Sequence, residues 1–432
     1  MKFILKIASI ALFFYTVIFI LIYIAEDRKN ASVLTEIIDP STAIDSIRGN
    51  AKETIVLTPT LEQPFKSANF VLPMGSYGLE VGTNNQSSFI NVGNVSPINI
   101  EKYGSKYSVF FIDPLRDNKT IFKFDGLNIE VSKYLDMHDQ VIHQDGTFTL
   151  MEYVPNLKNG TLDLQLKRLT GRGQVLWVWN SNQYISREHF IKQPVNSATE
   201  IKPLKEKLKD IRLLYSNFIL EIFGTKIFQF LVNIYFPLPS RRIQILDDQV
   251  SYVDHIHANS IQYLNNEKYI LVSARNLDAL FIIEAQSGAI IWSLGGPYST
   301  FTKNRVVGDP RGGFSHQHDA RVYKNKLYLF DNANMQLGLP SRAVVYTFDM
   351  ENPGNCKFLF EYIEPYNKRR LTMGSVQPLD DDRIFIGWGG VPLGPDRQKP
   401  SAGASIINMK NNTTEWQLDF KPGWTSYRAR GY

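Results

Sequence analysis

The 432-residue chain is 44% hydrophobic and 12% aromatic, which is ample for a folded core and excludes a disordered protein. Its formal net charge of +5 is small for this length, and apart from a stretch near 202–212 its basic residues are scattered, which argues against a nucleic-acid partner. A single cysteine, Cys356, excludes an intramolecular disulfide and any cysteine-built metal cluster.

Residues 1–29 read as two lysines, a 19-residue uncharged stretch (IASIALFFYTVIFILIYIA) and an abrupt polar border, EDRK. At about 1.5 Å per residue that stretch crosses a bilayer core of about 30 Å. A cleavable signal peptide has a shorter apolar region and a small-residue cleavage site, and Ile24-Ala25 is a poor one. The expectation is therefore an uncleaved transmembrane signal anchor. Lys2 and Lys6 favour a cytoplasmic tip, which places everything beyond residue 30 outside the cytoplasm, periplasmic or at the outer surface. Residues 30–75, with "DPSTAIDS" and "TPTLEQPF", read as a stalk.

From about 76 onward short strands dominate, as in "YSVFFID", "TFTLMEY", "VLWVWN", "YILVSAR", "LFIIEA", "LYLFDN", "AVVYTFD" and "RIFIGWG". They are rich in β-branched and aromatic residues and bounded by polar turns, which predicts an all-β domain over 76–432. A turn followed by a strand with a central aromatic recurs at Phe122, Trp177, Trp292, Phe360 and Trp416, spaced by 55, 115, 68 and 56 residues. Four-stranded blades repeat at about 40 to 50 residues, longer with insertions. Five such units and a degenerate one near 77–110 predict a six-bladed β-propeller.

Residues 190–245 break the pattern. Lys202, Lys205, Lys207, Lys209 and Arg212 precede an almost wholly apolar run that ends at Pro237 and Pro239. Its period predicts a helical insertion, either a cap packed on the propeller or, over about 213–239, a segment lying in the membrane interface.

A second repeat lies between the aromatics. "MHDQVIHQDGTFTLMEY", "IHANSIQYLNNEKYILVSARN", "QHDARVYKNKLYLFDNAN" and "GSVQPLDDDRIFIGWGG" each run from a short strand through a polar turn to an apolar strand. His138, His257, His318 and Ser375 begin these units. Equivalent positions on successive blades face one axis, so three histidines far apart in sequence are expected to converge. Histidine acts near neutral pH as base, nucleophile or ligand. Arg275, ending "ILVSAR", adds a cation whose fork of donors suits a tetrahedral oxyanion. The pairs His255/His257 and His316/His318 could instead hold a metal, but only His257 and His318 fit the register and Arg275 would repel a cation. No metal is therefore expected. There is no G-x-S-x-G, P-loop or G-x-G-x-x-G, so a serine hydrolase or a nucleotide site is not expected.

These units resemble the arylsulfate sulfotransferases, bacterial six-bladed propellers that move a sulfuryl group from a phenolic sulfate ester to another phenol. The resemblance runs from about 105 to 430 through "MHDQVIHQDGTF", "DHIHANSI", "ILVSARNLDALFIIEAQSGAIIWSLGG", "FSHQHDARVY" with "LFDN", "GSVQPLDDDRIFIGWG" and "SYRARGY". It implies that His318, in the Gln317-His318 element, is a nucleophile carrying a transient sulfohistidine. His138, His257 with Asn259, and Arg275 would support it, and Asn259 and, from its place in the repeat, Ser375 are expected to contact substrate. No cofactor is implied; the partners would be an aryl sulfate donor and a phenolic acceptor. The anchor, the lone cysteine and the insertion at 190–245 depart from the family's soluble periplasmic enzymes. The residues alone leave a second reading open, a catalytically silent propeller binding a sulfated or carboxylated ligand or a partner protein in the same cationic pocket.

Overall fold

The computed structural model describes residues 43–61, 78–83, 85–90, 97–113, 119–124, 127–129, 132, 134–189, 243–244, 251–302, 304–336, 338–350, 356–390 and 399–432. The expected anchor at 1–29 and nearly all of the expected helical insertion at 190–245 lie outside these residues. Among the described residues no helix is long and apolar enough to cross a membrane.

Twenty-seven strands build the described fold. β1 (Ile44–Gly49), β2 (Ile55–Leu61), β3 (Gly78–Val81) and β4 (Ser87–Ile90) come first. The first blade is β5 (Pro97–Tyr103), β6 (Lys106–Asp113), β7 (Lys119–Phe124) and β8 (Leu127–Ile129). The second is β9 (Leu135–Ile142), β10 (Phe148–Asn156), β11 (Thr161–Leu169) and β12 (Val175–Asn180). A two-stranded ribbon, β13 (Ile243–Gln244) with β14 (Ser251–Tyr252), leads into the third. That blade is β15 (Ala258–Leu264), β16 (Tyr269–Ala274), β17 (Ala279–Glu284) and β18 (Ile290–Gly295). The fourth is β19 (His318–Tyr323), β20 (Lys326–Asp331), β21 (Arg342–Thr347) and β22 (Phe358–Ile363). The fifth is β23 (Ser375–Pro378), β24 (Arg383–Gly387), β25 (Ser401–Asn408) and β26 (Thr413–Phe420), and β27 (Trp424–Gly431) follows.

β27 does not begin a blade of its own. It pairs with β2 and so becomes the inner strand of a sixth blade completed by β3 and β4, while β1 adds a fifth strand outside β26. The ring is thus closed by both chain ends, and all six blades are antiparallel sheets. This changes two expectations. Residues 44–49 and 55–61, read as stalk, are propeller strands. The weak unit near 77–110 is not one blade: β3 and β4 finish the sixth blade, whereas β5 and β6 open the first. The cause is the closure itself, which pairs Ile55 with Gly431 and Leu61 with Trp424, far apart in the chain, and so leaves no contiguous repeat to read.

Within a blade, period-2 alternation sends side chains to two neighbours. Ile270 and Val272 of β16 join the core between the second and third blades, and Leu271 joins that between the third and fourth. Six such clusters circle the propeller. Strands deep in a blade are therefore apolar on both faces, whereas the outermost β12 leaves Val175, Leu176 and Val178 exposed. The repeated aromatics Trp177, Trp292, Phe360 and Trp416 fall on fourth strands, but Phe122 lies on a third strand, β7.

Candidate active site

The inner strands carry the histidine repeat to the axis. The ring centroid of His138, on β9, lies 4.8 Å from that of His257, which precedes β15, and 6.1 Å from that of His318, which opens β19. The register expectation for these three holds in space. A fourth ring joins them: Tyr427 of β27 lies 5.8 Å from His138 and 5.5 Å from His318. Its hydroxyl donates to the His138 carbonyl at 3.1 Å.

Each histidine is oriented by a different local device. Asp136 and His138, two apart on β9, share a strand face, so the carboxylate meets His138 Nδ1 at 2.8 and 2.9 Å and accepts its backbone N–H at 2.8 Å. His257 sits at φ +48°, which lets Asp254 take both its backbone N–H, at 3.0 Å, and its Nδ1. Burial works upward on the Asp254 carboxyl, but the charge and hydrogen bonds of His257 outweigh it and hold it below its ordinary value. Both carboxylates leave Nε2 of their histidines for other work.

His318 is different. Its Nδ1 meets the Gly374 carbonyl at 2.7 Å, and a carbonyl can only accept, so Nδ1 carries the proton and Nε2 the lone pair. The residue is 2% exposed, whereas the side chains of His138 and His257 are 18% and 29% exposed. Burial, then the charges of Arg428 and His138, push its pKa well below the ordinary imidazole value. At neutral pH it is an uncharged imidazole with one committed nitrogen.

Arg275 follows β16, its backbone N–H on the His257 carbonyl at 3.1 Å. Its guanidinium donates to Asn276 Oδ1 at 2.9 Å and to the Leu371 carbonyl at 3.1 Å. Burial pulls its pKa down to about 10 against the attraction of Asp278 and Asp254. It is a buried cation one backbone bond from the histidine cluster.

The two residues expected to contact substrate also bond between blades. Asn259 donates to the Gln317 carbonyl at 2.8 Å and accepts from the Asp319 N–H at 3.2 Å. Ser375 Oγ donates to the Ala429 carbonyl at 3.0 Å. Both tie one inner strand to the next, as Gln262 does to Val322 and Gln377 to Gly431. Inner strands that splay at the axis must satisfy their buried backbone groups across blades, and both side chains serve that need here. The two histidine pairs are also split: His316, at φ +52°, holds Asp278 through Nδ1 at 2.8 Å and its N–H at 2.6 Å, away from the Gly374 partner of His318. Burial, against the pull of Asp278, keeps His316 below the ordinary range.

An ion cluster lies in the axis beside the histidines. Asp139 takes Arg321 and Arg428, each at 2.8 Å, and Asp319 takes Arg321 and Arg430, each at 2.7 Å. Glu101 lies 3.5 Å from Arg428. Burial works upward on Asp319, but Arg321, Arg430 and Arg428 hold it well below the carboxylate range. Arg428 also stacks 5.4 Å over the Tyr427 ring. Asp136, Asp254, Gly374 and Tyr427 were not foreseen, although the D-x-H and D-x-x-H spacings were visible beside the histidines.

Residues 240–393 match a family model described as arylsulfotransferase (ASST). That match covers the third and fourth blades and the inner half of the fifth, and in that stretch the chain is similar to the arylsulfotransferases. No curated protein matches the chain. Among solved structures, a Bacteroides caccae protein of unknown function is 9% identical, covering 88% of this chain and 99% of its own, with a TM-score of 0.45. A Pseudomonas aeruginosa periplasmic gluconolactonase is 6% identical, covering 89% of this chain and 99% of its own, with a TM-score of 0.42. Neither likeness carries an argument about chemistry.

Proposed function

We propose that the protein transfers a sulfuryl group from a phenolic sulfate ester to an acceptor phenol through a sulfohistidine on His318. The supporting observation is the pairing of a buried neutral His318, its Nε2 lone pair left for attack, with two carboxylate-backed histidines. Nε2 attacks sulfur, the N–S bond forms and the bond from sulfur to the phenolic oxygen breaks. The departing oxygen takes a proton from an imidazolium of the His138–His257 pair. In the second half the same histidine removes the acceptor phenol's proton, its oxygen attacks sulfur, and the N–S bond breaks to return neutral His318. Ping-pong kinetics follow.

Sulfuryl transfer resembles phosphoryl transfer, in which a loose transition state spreads charge over the oxygens and positioning with cations supplies most of the catalysis. Arg275 is the cation for those oxygens, and its burial strengthens its field because little solvent screens it. Incubation with an aryl sulfate donor followed by intact mass measurement tests the reading. A gain of about 80 Da, one sulfuryl group on the nucleophile, is expected on wild type and not on His318→Ala; sustained turnover by His318→Ala would sink the mechanism. Ligand binding without adduct or turnover in wild type would favour the catalytically silent alternative.

The location of the enzyme is part of the proposal. The uncharged stretch at 7–25 supports a single-pass anchor with the propeller outside the cytoplasm. A mature protein that extracts without detergent and begins after Ala25 would contradict it.

A further inference from the structure

The carbonyl that orients His318 ends a bend held mostly by groups that the proposed chemistry does not use. Residues 370–374 lead from the fourth blade to the inner strand of the fifth, and each of their successive carbonyls accepts a hydrogen bond. That of Arg370 takes Asn332 Nδ2 at 2.8 Å and Ser341 Oγ at 3.3 Å. That of Leu371 takes Asn334 Nδ2 at 2.9 Å and Arg275 Nη2 at 3.1 Å. That of Thr372 takes the Gly390 N–H at 3.0 Å, and that of Met373 takes Asn332 Nδ2 at 3.1 Å. The last, Gly374, takes His318 Nδ1 at 2.7 Å. The single amide of Asn332, fully buried, therefore spans the bend from Arg370 to Met373.

The bend needs holding. Met373 and Gly374 lie at φ +66° and +97°, a left-handed pair that costs strain at the methionine. A Cβ on Gly374 would come within 2.4 Å of the Phe330 ring, so the chain can turn there only as glycine. Asn332 reaches the bend because Asp331 caps the end of β20. Its Oδ1 accepts the Ala333 and Ser315 N–H groups, each at 2.9 Å, and Ala333 at φ +57° folds the chain back.

We infer that Asn332 is a positioning residue for His318: by joining Arg370 and Met373 it keeps the Gly374 carbonyl on Nδ1 and so keeps Nε2 as the attacking nitrogen. The inference rests on the reading of His318 as the nucleophile. Without an acceptor at Nδ1, a neutral imidazole divides its proton between both nitrogens, and the form protonated at Nε2 cannot attack. The bond from Arg275 to Leu371 makes the same stretch of backbone set the spacing of nucleophile and cation.

The test is histidine-selective nitrogen NMR on the full chain, with His318→Gln identifying the His318 signals, alongside aryl sulfate turnover. Wild type is expected to show His318 as the Nδ1-protonated tautomer. Asn332→Ala is expected to show a tautomer mixture, with kcat down about 10²-fold at unchanged donor KM, the scale of a nucleophile held out of line. Asn332→Ser, which keeps a donor of shorter reach, is expected to fall between, and serves as the readout should Asn332→Ala not fold. A folded variant that keeps the wild-type tautomer overturns the inference, whatever its turnover. A tautomer change in protein that never transfers sulfuryl groups would uphold the positioning of His318 and remove the proposed reaction.

Discussion

His138 and His257 stand with ring centroids 4.8 Å apart at 78°, each with a carboxylate on Nδ1. The arrangement gives two Nε2 groups of the same electrostatic support on neighbouring blades. A carboxylate behind an imidazole fixes its tautomer and stabilises its protonated form. Asp136→Asn and Asp254→Asn are therefore expected to lower kcat by about 10²-fold or more each, the range of a lost general acid or base. Steady-state turnover of an aryl sulfate checks this; wild-type kcat in either variant would remove that histidine from proton transfer.

His318 makes stability depend on pH. Its folded-state pKa is depressed, so below the unfolded value of about 6.5 the unfolded chain binds a proton that the folded chain refuses. Stability is full above that value and falls as pH drops toward the folded pKa, by about 1.4 kcal/mol per pH unit for this one group. Depressed His316 acts in the same direction. Chemical denaturation between neutral and mildly acid pH should show the slope, and His318→Gln should flatten it.

Arg275 is buried beside the histidines, and burial pulls its pKa down to about 10 against the attraction of Asp278 and Asp254, so an added anion there favours its charged form. Inorganic sulfate or an unreactive aryl sulfonate is expected to raise Tm, by about 2.7 kcal/mol of stability at a hundredfold excess over Kd. The gain should vanish in Arg275→Met. Equal stabilisation of that variant would place the anion elsewhere.

Asp319 answers Arg321 and Arg430 at 2.7 Å with no exposure of its side chain. Asp319→Asn strands buried cations and is expected to cost about 3–5 kcal/mol. Urea unfolding measures it; a change below about 1 kcal/mol would mean that solvent already screens the axis.

What the sequence determined by itself follows from local chemistry. Apolar alternation between polar turns specifies strands, and the repeat of histidine before the turn places His138, His257 and His318 at equivalent points of successive blades. The convergence of those three was readable because a propeller maps one repeat position onto one place in space. The sixth blade was not, because β27 pairs with β2 across nearly the whole chain. Nor was the sharing of roles among side chains. Asn259 and Ser375 occupy site positions in the repeat, yet inner strands that separate at the axis leave backbone groups that only a neighbouring blade's side chain can satisfy. Tyr427, Asp254 and the Gly374 carbonyl entered the site through contacts between blades or through a left-handed residue, neither of which leaves a period in the sequence. Which nitrogen of His318 holds the proton was decided by a single carbonyl 56 residues away, brought there by tertiary packing alone.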